Sequence, residues 1–451
     1  MTEKLVEYLK NKKIAILGLG REGKSTYTFL RSHFPHKSIT ICDQNEEIKK
    51  REDDGNDNII WKLGADYLTG LEEYDLVIKT PGISLKNENI EKWKDKITSQ
   101  LELLLRFIPI FTIGVTGTKG KSTTSSLVYE VLKQQGKEPI LIGNIGKPAF
   151  DEIEKMKQGQ MVVIEMSSHQ LEYMDISPNI AILLNIFEEH LDHYRSFVDY
   201  AKAKYHIGEY QTEKDAFLYN ADNEEIRKLY QEKPLKSECY AISRLEKKKE
   251  KHTVYKKEGK IYFDTKEIYE ENMPRHLVGE HNLQDIMFVL AVSEILKLDL
   301  KKTQETIQNF MPLPHRMEYV GKYDGVFYYN DSIATIPQAT IEAVTALKEV
   351  STLIIGGMDR KIDYTSLIQF LNQSTLDFLV CLPDTGWEIA EKVQNETMQV
   401  VKVKNLEEAV KVAKEKTKKE KICLLSPAAA SYGFFKNFEE RGDYYKTLVK
   451  A

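Results

Sequence analysis

The chain has 451 residues, 41% of them hydrophobic and 29% charged, with a formal net charge of -5 and a pI near 6.1. That length exceeds what one hydrophobic core organises, so two or three domains are expected, and the mild acidity excludes a global basic field that would recruit nucleic acid or an anionic membrane. Cys42, Cys239, Cys381 and Cys423 stand far apart with no CxxC pair, which argues against a zinc cluster or disulfide framework and for a reducing compartment.

The charged start MTEKLVEYLKNKK lacks an apolar signal core, and no run approaches the roughly 18 apolar residues of a membrane span. A cytoplasmic protein with no membrane partner is expected. Short β-branched runs at residues 14–17, 38–42, 76–79, 110–115, 161–165, 180–185 and 353–355 alternate with longer helical patterns, the rhythm of parallel α/β units. Pro109 and the pair Pro312 and Pro314 punctuate that rhythm and set expected domains of 1–107, 108–312 and 313–451. The lysine-rich stretch 245–260 reads as a surface hairpin or loop, because that much charge cannot be buried.

The first strand runs into Gly18-Leu19-Gly20-Arg21-Glu22-Gly23 and a helical pattern, and Asp43 closes the next strand. This is a dinucleotide-type fingerprint: the glycines let a turn approach a pyrophosphate at helix N-terminal amides, and the carboxylate accepts from a ribose or base. A tight turn without a ligand is the alternative. Thr80-Pro81-Gly82-Ile83-Ser84 adds a second loop on the same expected sheet edge.

A stronger signal follows the strand 110–115: Thr116-Gly117-Thr118-Lys119-Gly120-Lys121-Ser122-Thr123-Thr124 leads into a helix. Loop amides wrap phosphates, Lys121 supplies a point charge and Ser122 a hydroxyl for magnesium. The first glycine of the ordinary Walker pattern falls on Val115, so only the shorter TGxxGK[ST] form is present. Strand 161–165 delivers Glu165 at its carboxyl end, where an acid holds magnesium opposite the phosphates. Strand 180–185 leads to His190, and Lys204 sits on a later helix with Lys202. Each of these alone is as well explained by a solvated surface group.

Taken in order, Thr116 to Thr124, Gly143-Asn144-Ile145-Gly146, Glu165-Met166-Ser167-Ser168, His190-Leu191-Asp192, His281-Asn282, Leu313-Pro314-His315-Arg316, Asn330-Asp331-Ser332, Ser426-Pro427-Ala428 and the ending Phe435 to Gly442 resemble the Mur ligase family. The resemblance implies an α/β fold of three domains: an N-terminal Rossmann-like domain, a central P-loop ATPase-like α/β sheet and a C-terminal Rossmann-like domain that closes over the site. It implies an ATP-dependent acid–amino-acid ligase of cell-wall precursor synthesis, with UDP-N-acetylmuramoyl-L-alanine, glutamate and ATP as substrates and an acyl phosphate as intermediate.

On that resemblance Gly20, Arg21, Asp43, Gln44, Gly82, Ser84, Asn144 and His190 address the UDP-linked substrate. Thr116, Gly117, Thr118, Lys119, Gly120, Lys121, Ser122, Thr123, Asn282, Arg316 and Asp331 address ATP, and Thr335, Arg360, Ser431 and Phe438 receive glutamate. Two magnesium ions are implied at Ser122, Glu165, His190 and Lys204, the lysine as a carbamate, so that Lys121, Glu165, His190 and Lys204 form the catalytic set. A monomer is favoured.

Three positions depart from the family pattern: Asp285 in the HNxxN motif, Ile333 in DSKxT, and Arg360 in place of a lysine. Gly20-Arg21-Glu22-Gly23, Thr118-Lys119-Gly120-Lys121-Ser122 and Asp331-Ser332-Ile333-Ala334-Thr335 look similar to a variant subgroup that adds L-glutamate. Family frequency favours D-glutamate, and side-chain polarity cannot choose between enantiomers. More remote readings are a folylpolyglutamate-type ligase on the same scaffold, or an NAD-binding protein with a vestigial second loop.

Overall fold

The computed structural model describes residues 1–49, 58–189, 193–245, 250–311, 313–359 and 362–451. Among the sequence candidates, His190, Leu191, Asp192, Pro312 and Arg360, with part of the lysine-rich stretch at 246–249, lie outside the described residues. The chain forms two compact units, Met1–Pro274 with Leu283–Gln308, and Arg275–Asn282 with Asn309–Ala451. No helix among the described residues is long and apolar enough to cross a membrane.

The first unit opens with a parallel sheet of β1 (Ile14–Leu17), β2 (Ile39–Asp43), β3 (Ile59–Leu63), β4 (Leu76–Lys79) and β5 (Ile97–Thr98), in the order β3-β2-β1-β4-β5. Every residue of β1 is buried, because a central parallel strand is covered on both faces and so reads as an unbroken apolar run. The order reverses at β1, and the loops after β1 and β4 therefore flank a crevice at the carboxyl edge.

A second sheet follows, with β6 (Phe111–Thr116), β7 (Ile140–Gly143), β8 (Met161–Glu165), β9 (Ile180–Leu183), β10 (Ala216–Asn220), β11 (Glu238–Ser243), β12 (His252–Lys257), β13 (Lys260–Phe263) and β14 (Lys266–Glu270). Its order is β14-β13-β12-β11-β10-β9-β6-β8-β7, parallel up to β12 and antiparallel beyond it. The described part of the lysine-rich stretch forms the β12–β13 hairpin. Glu258 and Gly259 both take positive φ, 51° and 75°, the turn whose twist matches the flanking strands.

The two sheets share one hydrophobic core. It runs from Ile14, Ile16 and Ile78 of the first to Ile142, Ile164 and Leu183 of the second, with Leu101, Leu103 and Leu104 of the helix Gln100–Phe107 between them. Phe29, on the helix Arg21–His33, sets its ring centre 4.5 Å from that of Phe150, tilted by 42°.

The second unit holds β15 (Glu318–Tyr323), β16 (Val326–Asn330), β17 (Val350–Gly357), β18 (Phe378–Asp384), β19 (Gln399–Lys402) and β20 (Ile422–Leu425). The order is β15-β16-β20-β17-β18-β19, with only β15 antiparallel to its neighbour. All eight residues of β17 are buried. Because β20 enters between β16 and β17, the loops leaving those three strands lie side by side.

Candidate active site

The phosphate loop leaves β6 at the point where the strand order of the second sheet reverses, and it enters the helix Lys121–Gln134 at once. Two side chains clamp it. Asn185 accepts from Lys119 N at 2.8 Å and donates to Lys119 O at 3.1 Å, while Thr118 Oγ1 lies 2.9 Å from Tyr200 Oη. Gly120 caps the helix at φ +83°, and a Cβ there would lie 2.6 Å from Asp285 Oδ1, so the position admits only glycine. Lys121 folds back over the loop, donating to the carbonyls of Gly117 at 2.8 Å and Thr118 at 3.0 Å. Ser122 is half-buried in the first turn.

Strand register places the acid beside this loop: Val115 pairs with Glu165, and Gly143 pairs with Glu165 from the other side. Glu165 is 1% exposed. Asn144 Nδ2 donates to its Oε1 at 2.7 Å, and Oε2 is buried without a hydrogen-bond partner among the described residues. A buried carboxylate oxygen left in that state is costly unless a cation or donor meets it. Lys204, on the helix Phe197–Glu209, is 2% exposed and donates to Gly117 O at 2.8 Å, with its ammonium 4.9 Å from the Tyr200 ring centre. Burial, reinforced by Lys121, pushes the Lys204 amine well below its ordinary range, against the opposing pull of Glu189 and Glu165. Lys202 is exposed, as its place two residues along the helix requires.

The same carboxylate oxygen tests whether magnesium fits. Glu165 Oε2 and the Ser122 hydroxyl are hard oxygen donors of the kind that cation takes, and both flank the phosphate loop. The donor set is compatible with magnesium.

At the first sheet's crevice, Gly20 caps the helix Arg21–His33, with open space where a Cβ would be, and Gly82 is equally open. Arg21 reaches the carbonyls of Gly143, Asn144 and Gly146 at 3.3–3.4 Å, joining this crevice to the loop after β7. Asp43 uses Oδ2 to accept from Leu19 N at 2.8 Å and Oδ1 from Asn45 N at 2.9 Å, so its carboxylate braces the glycine turn. Gln44 is exposed, and Ser84 Oγ donates to His193 O at 3.1 Å.

In the second unit, Asp331 follows β16 and accepts from Met317 N at 3.1 Å and Ser426 Oγ at 2.8 Å. Arg316 Nε is buried without a hydrogen-bond partner among the described residues. Asn282 donates to Val278 O at 2.7 Å. Thr335 is half-buried and Ser431 buried, and Phe438 offers its carbonyl to Ser332 Oγ at 2.8 Å. Asn185 and Tyr200, which hold the phosphate loop, are not legible as functional in the sequence: each ends a run or opens a helix as any polar or aromatic residue does.

Residues 115–293 match the Mur ligase middle domain, and residues 315–429 match the Mur ligase glutamate ligase domain. Over 99% of its length the chain is 33% identical to the UDP-N-acetylmuramoylalanine–D-glutamate ligase of Clostridium botulinum (strain Okra / Type B1), covering 98% of that protein. The chain belongs to the Mur ligase family. A ligase of the same name from Acetivibrio thermocellus is 34% identical, over 98% of this chain and 97% of the other. Among solved structures, the UDP-N-acetylmuramate-alanine ligase of Thermotoga maritima superposes with a TM-score of 0.58 at 19% identity, covering 98% of each chain. The Thermotoga maritima MurF ligase gives 0.58 at 17%, covering 92% of this chain and 96% of that one. Mur ligases are ATP-dependent amide ligases, and this Mur ligase carries their three-sheet α/β fold.

Proposed function

We propose that this Mur ligase joins glutamate to UDP-N-acetylmuramoyl-L-alanine at the expense of ATP, in the cytoplasm and as a monomer, with D-glutamate as the amino acid. Support for the substrate comes from the full-length similarity to the D-glutamate ligases. The observation that carries the chemistry is the meeting of Glu165, Lys121 and Lys204 around the Gly117 turn.

In this reading Thr116 to Thr123 cradle the triphosphate, and Lys121 exchanges its loop carbonyls for phosphate oxygens, neutralising charge as the γ-phosphoryl moves. The free carboxylate of the L-alanyl residue attacks the γ-phosphorus, the bond to ADP breaks, and the glutamate amine then displaces phosphate from the acyl carbon, losing a proton as the amide forms. No protein nucleophile is needed, so positioning is the main task. Ser122, Glu165, His190 and a carbamate on Lys204 would hold two magnesium ions, which when bound supply further charge neutralisation on the phosphates. The neutral Lys204 amine adds to carbon dioxide, a C–N bond forms and one proton leaves, converting a potential cation into an anionic oxygen ligand.

Gly20, Arg21, Asp43, Gln44, Gly82, Ser84 and Asn144, with His190, are the proposed contacts of the UDP-linked substrate. The open space over Gly20 and Gly82 supports the close backbone approach this requires. Asn282, Arg316 and Asp331 are proposed for ATP, and Thr335, Ser431 and Phe438, with Arg360, for glutamate. The functional segments proposed are 1–107, 108–312 and 313–451.

Phosphate release measured with UDP-N-acetylmuramoyl-L-alanine, ATP and either D- or L-glutamate tests the reading. Turnover with D-glutamate is expected; turnover with L-glutamate alone reverses the stereochemistry, and release with neither removes the substrate assignment.

A further inference from the structure

Arg441, on the last helix Phe438–Lys450, is 1% exposed, and its burial among neutral groups is unusual for so large a cation. Its Nε donates to Ser332 Oγ at 3.0 Å, and its Nη2 donates to the carbonyls of Ser332 at 2.8 Å and Ala429 at 3.1 Å. Nη1 is buried with no hydrogen-bond partner among the described residues, and it lies against Gly357, where a Cβ would come within 3.1 Å of it. No carboxylate pairs with the guanidinium among the described residues. Burial lowers its pKa to about 10, which leaves it a cation at neutral pH.

The three segments it touches are the loops leaving β16, β20 and the end of β17, side by side at the carboxyl edge of the second unit's sheet. That edge, at a reversal of strand order, is where open α/β sheets bind ligands. Ser332 in turn donates its hydroxyl hydrogen bond to the carbonyl of Phe438 at 2.8 Å, so one planar fork joins the segments bearing Thr335, Ser431 and Phe438. A neutral side chain could tie the loops together at lower cost, since an uncompensated buried charge is strongly disfavoured. Retaining the charge, with one donor unfilled, points to an anion as the thing recognised at this edge.

We propose that Arg441 is a specificity determinant for the amino-acid substrate: its fork fixes the receiving loops, and its uncompensated charge selects an amino acid with an anionic side chain. This rests on the glutamate-ligase reading and extends it to a residue three positions after Phe438 on the same helix. The guanidinium does not touch the reacting atoms and acts as a positioning residue.

The test is steady-state ADP release by the full chain and by Arg441→Met and Arg441→Lys, varying glutamate, glutamine and ATP, with thermal melts to verify folding. In Arg441→Met the glutamate KM is expected to rise at least ~30-fold, with the preference for glutamate over glutamine lost and the ATP KM within about twofold of the original. Arg441→Lys, which keeps the charge but cannot span both carbonyls, should raise the glutamate KM by about fivefold. A folded Arg441→Met whose loss is confined to kcat, or falls equally on glutamate and glutamine, overturns the proposal. Should Arg441→Met fail to fold, Arg441→Lys decides: an unchanged glutamate KM overturns the proposal and a selectively raised one supports it. If the unmutated chain releases no ADP with glutamate, the functional reading itself has failed, and the proposal falls with it.

Discussion

Lys204 and Lys121 donate to the same oxygen, the carbonyl of Gly117, each at 2.8 Å. Burial strips water from the Lys204 ammonium, and the second ammonium group on the same carbonyl repels it further. Its amine is therefore held toward the neutral, nucleophilic form that carbamate chemistry needs. Lys204→Ala is expected to lower kcat by at least ~100-fold, with partial rescue by a small exogenous carboxylate. Lys204→Arg, a cation that cannot take up carbon dioxide, should be equally inactive and not rescued. Full activity in either variant would remove the carbamate from the mechanism.

Glu165 has one oxygen tied to Asn144 and the other without a hydrogen-bond partner among the described residues. Glu165→Gln preserves the shape of that arrangement and removes the charge. The expected result is a magnesium requirement shifted upward by at least ~10-fold, with the protein folded and the UDP-substrate KM little changed. An unaltered magnesium dependence of ADP release would exclude Glu165 from the metal site.

Glu102 illustrates how burial outweighs pairing. Burial raises its carboxyl to about 7 despite the Arg106 guanidinium 3.0 Å away, a cation that Asp175 shares. Because the folded pKa lies above the unfolded value of 4.5, the folded state holds the proton that the unfolded state releases. This contribution to stability is fully present below pH 4.5 and is lost as pH rises through about 7. Urea unfolding of the unmutated chain and of Glu102→Gln at pH 4.5 and pH 7.5 should show the variant gaining roughly 2–3 kcal/mol relative to the original across that interval. Parallel pH profiles for the two proteins would contradict the assignment.

Gly23 packs the helix Arg21–His33 onto the glycine turn so closely that a Cβ would lie 2.0 Å from the carbonyl oxygen of Gly18. Backbone cannot move aside as a flexible side chain does. Gly23→Ala should destabilise the first unit by about 2–3 kcal/mol in chemical denaturation. At Gly20, where nothing stands within 4 Å, alanine should leave stability unchanged and weaken only the UDP-linked substrate, which a binding titration would report.

The sequence by itself determined the local chemistry. Continuous apolar runs became β1, β4 and β8 with the expected bounds, because strands buried on both faces cannot carry polar alternation. The glycine loops followed their strands for the same kind of reason: only glycine meets the backbone demands at Gly23 and Gly120. The hairpin at 258–259 was legible in its charge, but the antiparallel extension through β14 was not, since edge pairing is decided by what else the sheet offers. Tertiary structure alone decided which isolated polar residues matter. Asn185 and Tyr200 hold the phosphate loop, Lys204 is buried while Lys202 is not, and Arg441 lies beneath three loops with no carboxylate partner among the described residues. Those facts depend on desolvation and on contacts between segments far apart in the chain, quantities that residue type and spacing do not encode.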